Sequence, residues 1–213
     1  MLIIAYSDKP AYFNMIRRMN LLCEKFDIEY KNYAREWLIR QDAYKMNQKL
    51  FSHNKGGGYW AWKPLIIYDA LQQTDEVLYL DSSVIIPSKE AVIRNMELTN
   101  LLSAPQTAFT NADWTKQSCF EAMGCNTEEH WYTPQIWAGM VCAKQGCYNL
   151  LMEWKYWCLE YNIITDVNNF STFPTFKDHR HDQSILTNVL LKYKQSYLDP
   201  IGFLDENNFN LKY

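Results

Sequence analysis

Two acidic clusters in the sequence could supply metal ligands or a general base. Asp81 follows the apolar stretch "VLYL" and is itself followed by Ser82 and Ser83. Asp182 lies in the polar segment "DHRHDQ" (178–183), just before an apolar pattern of helical spacing. Divalent cations prefer carboxylate oxygens together with ligand phosphates, and a carboxylate also serves as a base or stabilises a positively charged transition state. The two aspartates therefore indicate metal-assisted or acid–base chemistry, against the plainer interpretation that Asp81 only starts a turn.

Two further segments lie where a ligand could bind. "YSD" (6–8) ends the first apolar run of the chain, and a glycine run (56–58) lies between Lys55 and Lys63. A helix that starts after such a run offers free backbone N–H groups to an anion. The glycine run matches no phosphate-binding fingerprint, however. A flexible turn is therefore the competing interpretation for the glycines, and a solvated side chain is the competing interpretation for Lys63.

His179 and His181 could contribute at most one ligand to a metal. Residues two apart point to opposite sides of a strand and lie about 200° apart on a helix. We therefore do not expect both imidazoles to reach the same ion.

An alternation of strands and helices must position these side chains. The pattern predicts strands over 2–6, 28–34 and 77–81, a helix that begins near Pro10, and helices over 40–52 and 63–73. Such a series predicts an α/β fold with a central, mostly parallel sheet flanked by helices. Ligands bind at the carboxyl ends of strands in such sheets, which is where "YSD" and Asp81 fall.

The second half of the chain has a less regular pattern. It predicts a helix over 88–102 with Ser88 as N-cap, strands over 107–110 and 136–144, helices over 146–161 and 181–193, and a loop over 168–177. No internal repeat, low-complexity tract or linker is visible, so residues 1–213 are expected to form a single domain. The polar tail (205–213) is either a natural end or a boundary within a longer polypeptide.

Bulk composition argues against several classes of protein. The 213 residues are 48% hydrophobic, enough for a substantial core, and a net charge of −3 argues against a nucleic-acid binder. No run approaches the ~20 apolar residues of a membrane span and no secretory signal is visible, so a cytoplasmic protein is expected. The six cysteines form no CxxC pair and are expected to be reduced, mostly buried thiols.

Three segments in order carry a family resemblance. The first is "GGGYWAWKPLIIYDAL" (56–71) with "VLYLDSS" (77–83) after it, the second is "IWAGMVCAK" (136–144), and the third is "HRHDQSIL" (179–186). Over about residues 2–193 the chain resembles glycosyltransferases of the GT-A fold, and in its details those encoded by chlorella-type large DNA viruses. The resemblance implies a Rossmann-like GT-A fold. If the chain is viral, the expected location is the cytoplasm of the host cell.

The resemblance also implies roles for individual residues. Tyr6, Ser7 and Asp8 would hold the base and ribose of a nucleotide. Asp81 matches the first acid of a DxD-like motif that binds ribose and, through Mn²⁺ or Mg²⁺, the diphosphate. Ser83 stands where the second acid of the motif would be, and the resemblance implies that it is still a ligand of the metal and a contact of the donor. The other implied contacts are Gly57, Lys63 and Ser82 at the donor, Gly139 under the donor sugar, His181 and Gln183 at the donor, His179 at the metal, and Asp182 as the catalytic carboxylate.

The implied function is transfer of a hexose or deoxyhexose from a nucleotide sugar, UDP-linked, to a hydroxyl of a glycan or glycoprotein acceptor, with either stereochemical outcome. The aromatic residues Trp114, Trp131, Tyr132 and Trp137 could floor an acceptor site or belong to the core. Because Ser83 is not an acid, a non-catalytic domain that binds a nucleotide sugar or glycan is the alternative. A sugar nucleotidyltransferase is disfavoured, since "SDKPAYFN" lacks the glycine-rich basic loop of that class.

Overall fold

A five-stranded sheet forms the centre of the fold, which a computed structural model describes over residues 1–205. In chain order the strands are β1 (Leu2–Tyr6), β2 (Glu29–Tyr33), β3 (Glu76–Leu80), β4 (Val84–Ile85), β5 (Leu102–Ser103), β6 (Gln106–Thr110), β7 (Pro134–Ile136), β8 (Met140–Lys144) and β9 (Leu204–Asp205). The helices are α1 (Phe13–Lys25), α2 (Arg35–Leu38), α3 (Asp42–Met46), α4 (Gln48–Phe51), α5 (Gly56–Tyr59), α6 (Lys63–Leu71), α7 (Lys89–Leu98), α8 (Asn111–Trp114), α9 (Gln117–Ala122), α10 (Glu128–Tyr132), α11 (Tyr148–Leu159), α12 (Tyr161–Ile164) and α13 (Asp182–Lys192). A 3₁₀ turn over Pro10–Tyr12 leads into α1.

The strand order of the central sheet is β2-β1-β3-β8-β5. β1 pairs in parallel with β2 and β3, whereas β8 is antiparallel to both β3 and β5. Four of these five strands therefore run in one direction, which confirms the predicted mostly parallel sheet. Because Leu80 pairs with Met140, the end of β3 and the start of β8 meet at one edge of the sheet. That edge brings Asp81 next to Gly139.

Helices cover both faces of the sheet. Alternate residues of a strand point to opposite faces. Val77 and Tyr79 accordingly belong to the core that α6, α11 and α13 complete, whereas Leu78 and Leu80 pack with α1 and α7. Burial on both faces explains why β3 reads as a continuous apolar run rather than as an alternating one.

Most predicted elements are confirmed, but two were wrong. Ser88 caps α7 as predicted, because its hydroxyl accepts a hydrogen bond from the backbone nitrogen of Ala91 at 3.2 Å. The helix expected over 40–52 is interrupted at Asn47, which has φ −122° and ψ 39°. The strand expected over 136–144 is two strands, because β7 pairs with β6 in a separate sheet while β8 joins the central sheet. The turn over 137–139 that separates them lies at the candidate site.

Burial and hydropathy also agree with the sequence. All six cysteines are buried and form no disulfide, as predicted. Within residues 1–205, no helix combines the length and the apolar character that crossing a bilayer requires. The predicted polar tail lies, apart from Asp205, outside the described residues.

Candidate active site

A buried lysine joins the two acidic clusters that the sequence singled out. Lys63 is the first residue of α6, where Pro64 is tolerated because a first-turn N–H has no helical partner. Its side chain is only 4% exposed, and its Nζ lies 3.4 Å from Oδ1 of Asp81 and 3.3 Å from Oδ2 of Asp182. The ammonium also donates a 2.9 Å hydrogen bond to the carbonyl of Ala138. Burial lowers the pKa of Lys63, but the two carboxylates outweigh that effect, so its pKa is raised and it stays charged.

Asp81 directly follows β3 and faces solvent more than its partners do. Its backbone N–H donates a 2.8 Å hydrogen bond to the carbonyl of Gly139, which fixes the strand end against the start of β8. Tyr79, two residues earlier on the same face of the strand, donates its hydroxyl to the Asp81 carboxylate. The Asp81 side chain is 31% exposed. Asp81 therefore contacts Lys63 on its inner side and presents carboxylate surface to a ligand.

Asp182 is the first residue of α13 and is almost completely buried. Burial raises the pKa of Asp182 from its ordinary 3.8 to about 7, since the opposing effect of Lys63 is partly offset by the nearby Asp81. Its Oδ2 has no aligned hydrogen-bond donor, so the 3.3 Å approach of Lys63 is a charge contact. A carboxylate that titrates near neutral pH suits a group that exchanges a proton with substrate.

Two cavities meet at Asp81 and Trp60. The larger, of about 930 Å³, holds Lys63 and Asp182 in its wall, and the smaller, of about 230 Å³, lies beside the end of β1. Predicted residues in the wall of the smaller cavity are Tyr6, Ser7, Asp8, Gly57, Asp81, Ser82 and Ser83. Predicted residues in the wall of the larger one are Lys63, Asp81, Trp114, Trp137, Gly139, His179, His181, Asp182 and Gln183. The fold thus gathers segments from across the chain around one carboxylate.

The glycine run forms a specific left-handed turn rather than a loose connection. Every residue from Gly56 to Trp60 has a positive φ, between 56° and 103°. A Cβ on Gly57 would lie 3.2 Å from Oδ2 of Asp8, and a Cβ on Gly56 would lie 2.3 Å from the Trp60 ring. Glycine permits both this conformation and this close approach. The run therefore places the Trp60 indole between the two cavities.

The end of β1 forms the aromatic side of the smaller cavity. The ring of Tyr6 stacks on that of Trp62 with their centroids 4.0 Å apart, and the indole N–H of Trp62 donates to the carbonyl of Gly56 at 2.9 Å. Ser7 donates its backbone N–H to the carbonyl of Tyr33 at 3.0 Å, which continues the β1–β2 ladder. These contacts tie the glycine turn to the first strand.

Gly139 lies in the turn between β7 and β8, and Gln183 forms a hydrogen bond to that turn. A Cβ on Gly139 would lie 2.4 Å from the Trp137 ring, so a neighbouring side chain already accounts for this glycine. The Gln183 amide accepts a 3.2 Å hydrogen bond from the backbone nitrogen of Ala138 and donates one of 2.9 Å to Gln135. Gln183 therefore holds the turn against α13, and its amide is already engaged within the protein.

The two histidines differ in whether a ring nitrogen remains without a hydrogen-bond partner. Nε2 of His179 pairs with the carbonyl of Ile163 at 2.9 Å, and Nδ1 accepts from the backbone of Lys116 at 3.5 Å. Since both nitrogens are used and burial holds the pKa of His179 well below its usual range, this ring offers no lone pair to a metal. The predicted metal-ligand role of His179 is corrected on that ground. Nδ1 of His181 pairs with the carbonyl of Ile164 at 2.7 Å, whereas Nε2 has no hydrogen-bond partner.

The aromatic residues proposed for an acceptor separate into two groups. Trp114 and Trp137 line the larger cavity. Trp131 packs edge-on against Phe173 at 5.1 Å, and the structure places neither Trp131 nor Tyr132 in the wall of either cavity. The wall of the larger cavity also contains residues that were not predicted, among them Trp60, Phe109, Gln135 and Arg180. The segment "GYWAWKP" contained a signal for Trp60, because it sits between the glycine run and Lys63.

Comparison with known proteins gives a result at the level of the fold. No family model and no curated protein matches the chain. Among solved structures it is similar to a glycosyltransferase involved in the glycosylation of the major capsid of PBCV-1, at 12% identity and a TM-score of 0.44, over 75% of this chain and 66% of that one. The chain thus spans slightly less than two thirds of that structure. It is also similar to the galactosyltransferase LgtC, solved with donor and acceptor sugar analogues, at 14% identity and a TM-score of 0.49, over 94% of this chain and 74% of that one.

A third similarity covers most of both chains. Mouse xyloside xylosyltransferase 1, in its apo form, matches at 10% identity and a TM-score of 0.52, over 93% of this chain and 84% of that one. This likeness shows a shared fold. The chain has a GT-A-like glycosyltransferase fold, as its sequence resemblance predicted.

Proposed function

We propose that the protein is a glycosyltransferase that moves a hexose or deoxyhexose from a UDP-linked donor to a hydroxyl of a glycan or glycoprotein acceptor. The observation that carries this proposal is the arrangement of Asp81 and Asp182 around Lys63, at the junction of the two cavities. In this proposal a sugar bonded to a diphosphate crosses the junction, with its nucleotide in one cavity and its acceptor in the other.

The smaller cavity suits the nucleoside part of the donor. It lies at the carboxyl ends of β1 and β3, where open α/β sheets bind their ligands. Hydroxyl and carboxylate groups of Ser7, Asp8 and Ser82 are available there for a ribose and a base. The donor sugar would then extend past Asp81 and Trp60 toward Asp182.

Asp182 is the proposed catalytic carboxylate. With a pKa of about 7 it is partly ionised at neutral pH and can accept the proton of an acceptor hydroxyl, the role required by inversion. In a retaining reaction the same carboxylate would instead stabilise or attack the anomeric carbon. Lys63 positions Asp182 and Asp81 rather than approaching the diphosphate directly, because its three close contacts are all within the protein.

A divalent cation, Mn²⁺ or Mg²⁺, fits this site with few protein ligands. No group of three His, Cys, Asp or Glu side chains in residues 1–205 could hold an ion by itself. Mg²⁺ needs only one or two carboxylates when substrate phosphates complete its shell, so Asp81 would hold the ion together with the diphosphate. When bound, the ion would neutralise charge on the departing nucleoside diphosphate.

The proposal is tested by measuring UDP and GDP release from a panel of nucleotide sugars, first with Mn²⁺ and then with EDTA. We expect one donor class to be turned over, Asp182→Asn to bind that donor without turning it over, and Asp81→Ala to weaken donor binding. If no donor binds and none is hydrolysed, the transferase proposal is wrong. Unchanged donor affinity after Asp81→Ala would show that the donor binds elsewhere.

A non-catalytic domain that binds a nucleotide sugar or a glycan is a second candidate. Ser83 favours it, because a neutral and nearly buried hydroxyl (4% exposed) occupies the position of the second acid. The same panel separates the two candidates. Saturable donor binding without turnover, even when glycan acceptors are supplied, would support the binding domain.

A further inference from the structure

Two cations and two aromatic rings form a cluster at the larger cavity, which we call the cationic rim: Phe109, Trp114, Lys177 and Arg180. The guanidinium carbon of Arg180 lies 4.0 Å from the centroid of the Trp114 ring. Nζ of Lys177 lies 4.6 Å from the Phe109 ring and 5.3 Å from the Trp114 ring. Three of the four residues, Phe109, Trp114 and Arg180, line the cavity that also contains Asp182.

The hydrogen-bond donors of the rim have no acceptors within the part of the chain that the structure describes. Neither Lys177 nor Arg180 forms an ion pair or a side-chain hydrogen bond with another residue of 1–205. The indole N–H of Trp114 is buried and also lacks a partner. Three donors, two of them charged, thus gather where the protein supplies no acceptor, although buried polar groups are normally satisfied.

The nearby carboxylates of Asp113 and Asp178 interact electrostatically with Lys177 and Arg180, respectively, but form no ion pair or hydrogen bond with them. Oδ2 of Asp113 accepts a 3.0 Å hydrogen bond from the backbone nitrogen of Thr110. Oδ1 of Asp178 accepts a 2.6 Å bond from Asn169 and a 2.9 Å bond from the backbone of His179. Since the whole chain carries a net charge of −3, the rim is a local feature and not part of a generally basic surface.

Backbone contacts hold the rim in place. Lys177 donates its N–H to the carbonyl of Asp113 at 2.8 Å, and Arg180 donates its N–H to the carbonyl of Trp114 at 3.0 Å. The Trp114 carbonyl also accepts the hydroxyl of Ser184, on α13, at 2.6 Å. The loop that carries both cations is therefore fixed to α8 and to the helix that begins with Asp182. Preorganised donors of this kind bind with little ordering cost.

We propose that the acceptor carries an anionic group, a carboxylate or a phosphate, which binds Lys177 and Arg180 while a sugar face lies against Trp114 and Phe109. This inference rests on the proposed function, because it concerns the acceptor side of the same site. Arginine and lysine recognise both kinds of anion, and aromatic faces accept the apolar faces of sugars. Arg180 retains its charge at neutral pH even though partial burial lowers its pKa.

The test uses the full chain and three small probes: glucuronate, glucose 6-phosphate and glucose. Binding is measured by NMR titration in wild type, in the double variant Lys177→Gln/Arg180→Gln, and in Lys25→Gln. The last variant removes a lysine that lies over Phe26 at 5.5 Å, a comparable cation–π contact outside both cavities. We expect one anion to bind about tenfold or more tightly than glucose, a preference lost in the double variant and kept in Lys25→Gln.

Each outcome has one meaning. A preference for glucuronate assigns a carboxylate to the acceptor, and a preference for glucose 6-phosphate assigns a phosphate. The inference is overturned by any of three results: glucose and the anions bind equally, the preference for an anion survives in the double variant, or neither anion binds saturably. UDP binding is measured in parallel and should not change in the double variant. If wild type itself does not bind UDP, the proposed function is overturned instead.

Discussion

Replacement of Lys63 by methionine tests the central electrostatic argument, because it removes the cation that Asp81 and Asp182 share while keeping an unbranched apolar side chain. In wild type the ammonium lies 3.3 Å from Asp182 and holds its pKa at about 7 against the effect of burial. An opposite charge this close lowers a carboxyl pKa by about 1–3 units. The Asp182 pKa in Lys63→Met should therefore rise by roughly that amount.

The expected loss of activity follows from the ionised fraction of Asp182. At neutral pH about half of the carboxylate is ionised in wild type, and a rise of about 1–3 pKa units reduces that fraction roughly 5- to 500-fold. If Asp182 acts as the base, the turnover rate at neutral pH falls by the same factor. The rate recovers at alkaline pH, because the acidic limb of the pH–rate profile is shifted to higher pH and the maximal rate is unchanged. The assay is turnover of the donor identified above across a pH series, with UDP affinity measured on the same samples.

Stability is the control for this variant. Breaking a buried ion pair by removing one partner costs about 3–5 kcal/mol where the remaining charge is left without compensation. In Lys63→Met this applies at alkaline pH, above the raised pKa of Asp182. The double variant Lys63→Met/Asp182→Asn should recover part of the loss there, because the carboxylate is gone as well. A folded, UDP-binding Lys63→Met protein with an unshifted acidic limb would refute the reasoning. A melting temperature no lower than that of wild type would contradict the burial of the pair.

Three further predictions concern stability. The pKa of Asp182 is raised on folding from 3.8 to about 7, so its stabilising contribution is complete below about pH 4 and is lost as the pH rises through about 7. Because the variant lacks this titrating group, its melting temperature minus that of wild type should increase between about pH 4 and about pH 8 in Asp182→Asn. The increase should be equivalent to roughly 3–4 kcal/mol of unfolding free energy. A difference that stays constant with pH would contradict the assigned pKa. Gly139→Ala should cost about 1–3 kcal/mol and change tryptophan fluorescence, because its Cβ would lie 2.4 Å from the Trp137 ring; an unchanged spectrum and stability would show that the turn has more room than the structure gives it. Lys116→Met should cost about 3–5 kcal/mol in denaturant unfolding, because the Lys116 ammonium donates to three backbone carbonyls at 2.7–2.8 Å, and a cost below about 1 kcal/mol would assign it a minor role.

The sheet and the edge that carries the site could be predicted from the sequence because each depends on a local signal. Apolar runs of about five residues identified β1 and β3, and polar residues directly after them marked the carboxyl ends where ligands bind. The strand over 136–144 was misread for the same reason. Its residues are apolar or glycine up to Ala143, so periodicity alone could not show that Gly139 and Trp137 form a turn and that the two halves pair with different strands.

Side-chain partnerships could not be predicted, because they join residues distant in sequence. Lys63 looked like a lysine for a diphosphate, yet tertiary packing places it between two carboxylates with the backbone of Ala138 as a third contact. His179 looked like a metal ligand, yet its Nε2 pairs with the carbonyl of Ile163, which belongs to the short helix α12 and has no distinctive sequence around it. Arg180 gave no signal at all, since its position over Trp114 depends on how the loop after α12 folds back onto α8.

Three of the six non-glycine residues with positive φ in the described chain lie around the proposed donor junction. Tyr59, Trp60 and His181 all have positive φ without being glycine, and a residue in this region costs of order 1–3 kcal/mol. The rings of Tyr59 and Trp60 lie 4.8 and 5.8 Å from the His181 ring, so the three strained residues pack on one another. Strain of this size persists only where surrounding contacts over-determine it. Here the contacts are those that place Trp60 between the cavities and Asp182 beside Lys63, so the cost of the strain is linked to the geometry on which the proposed transfer depends.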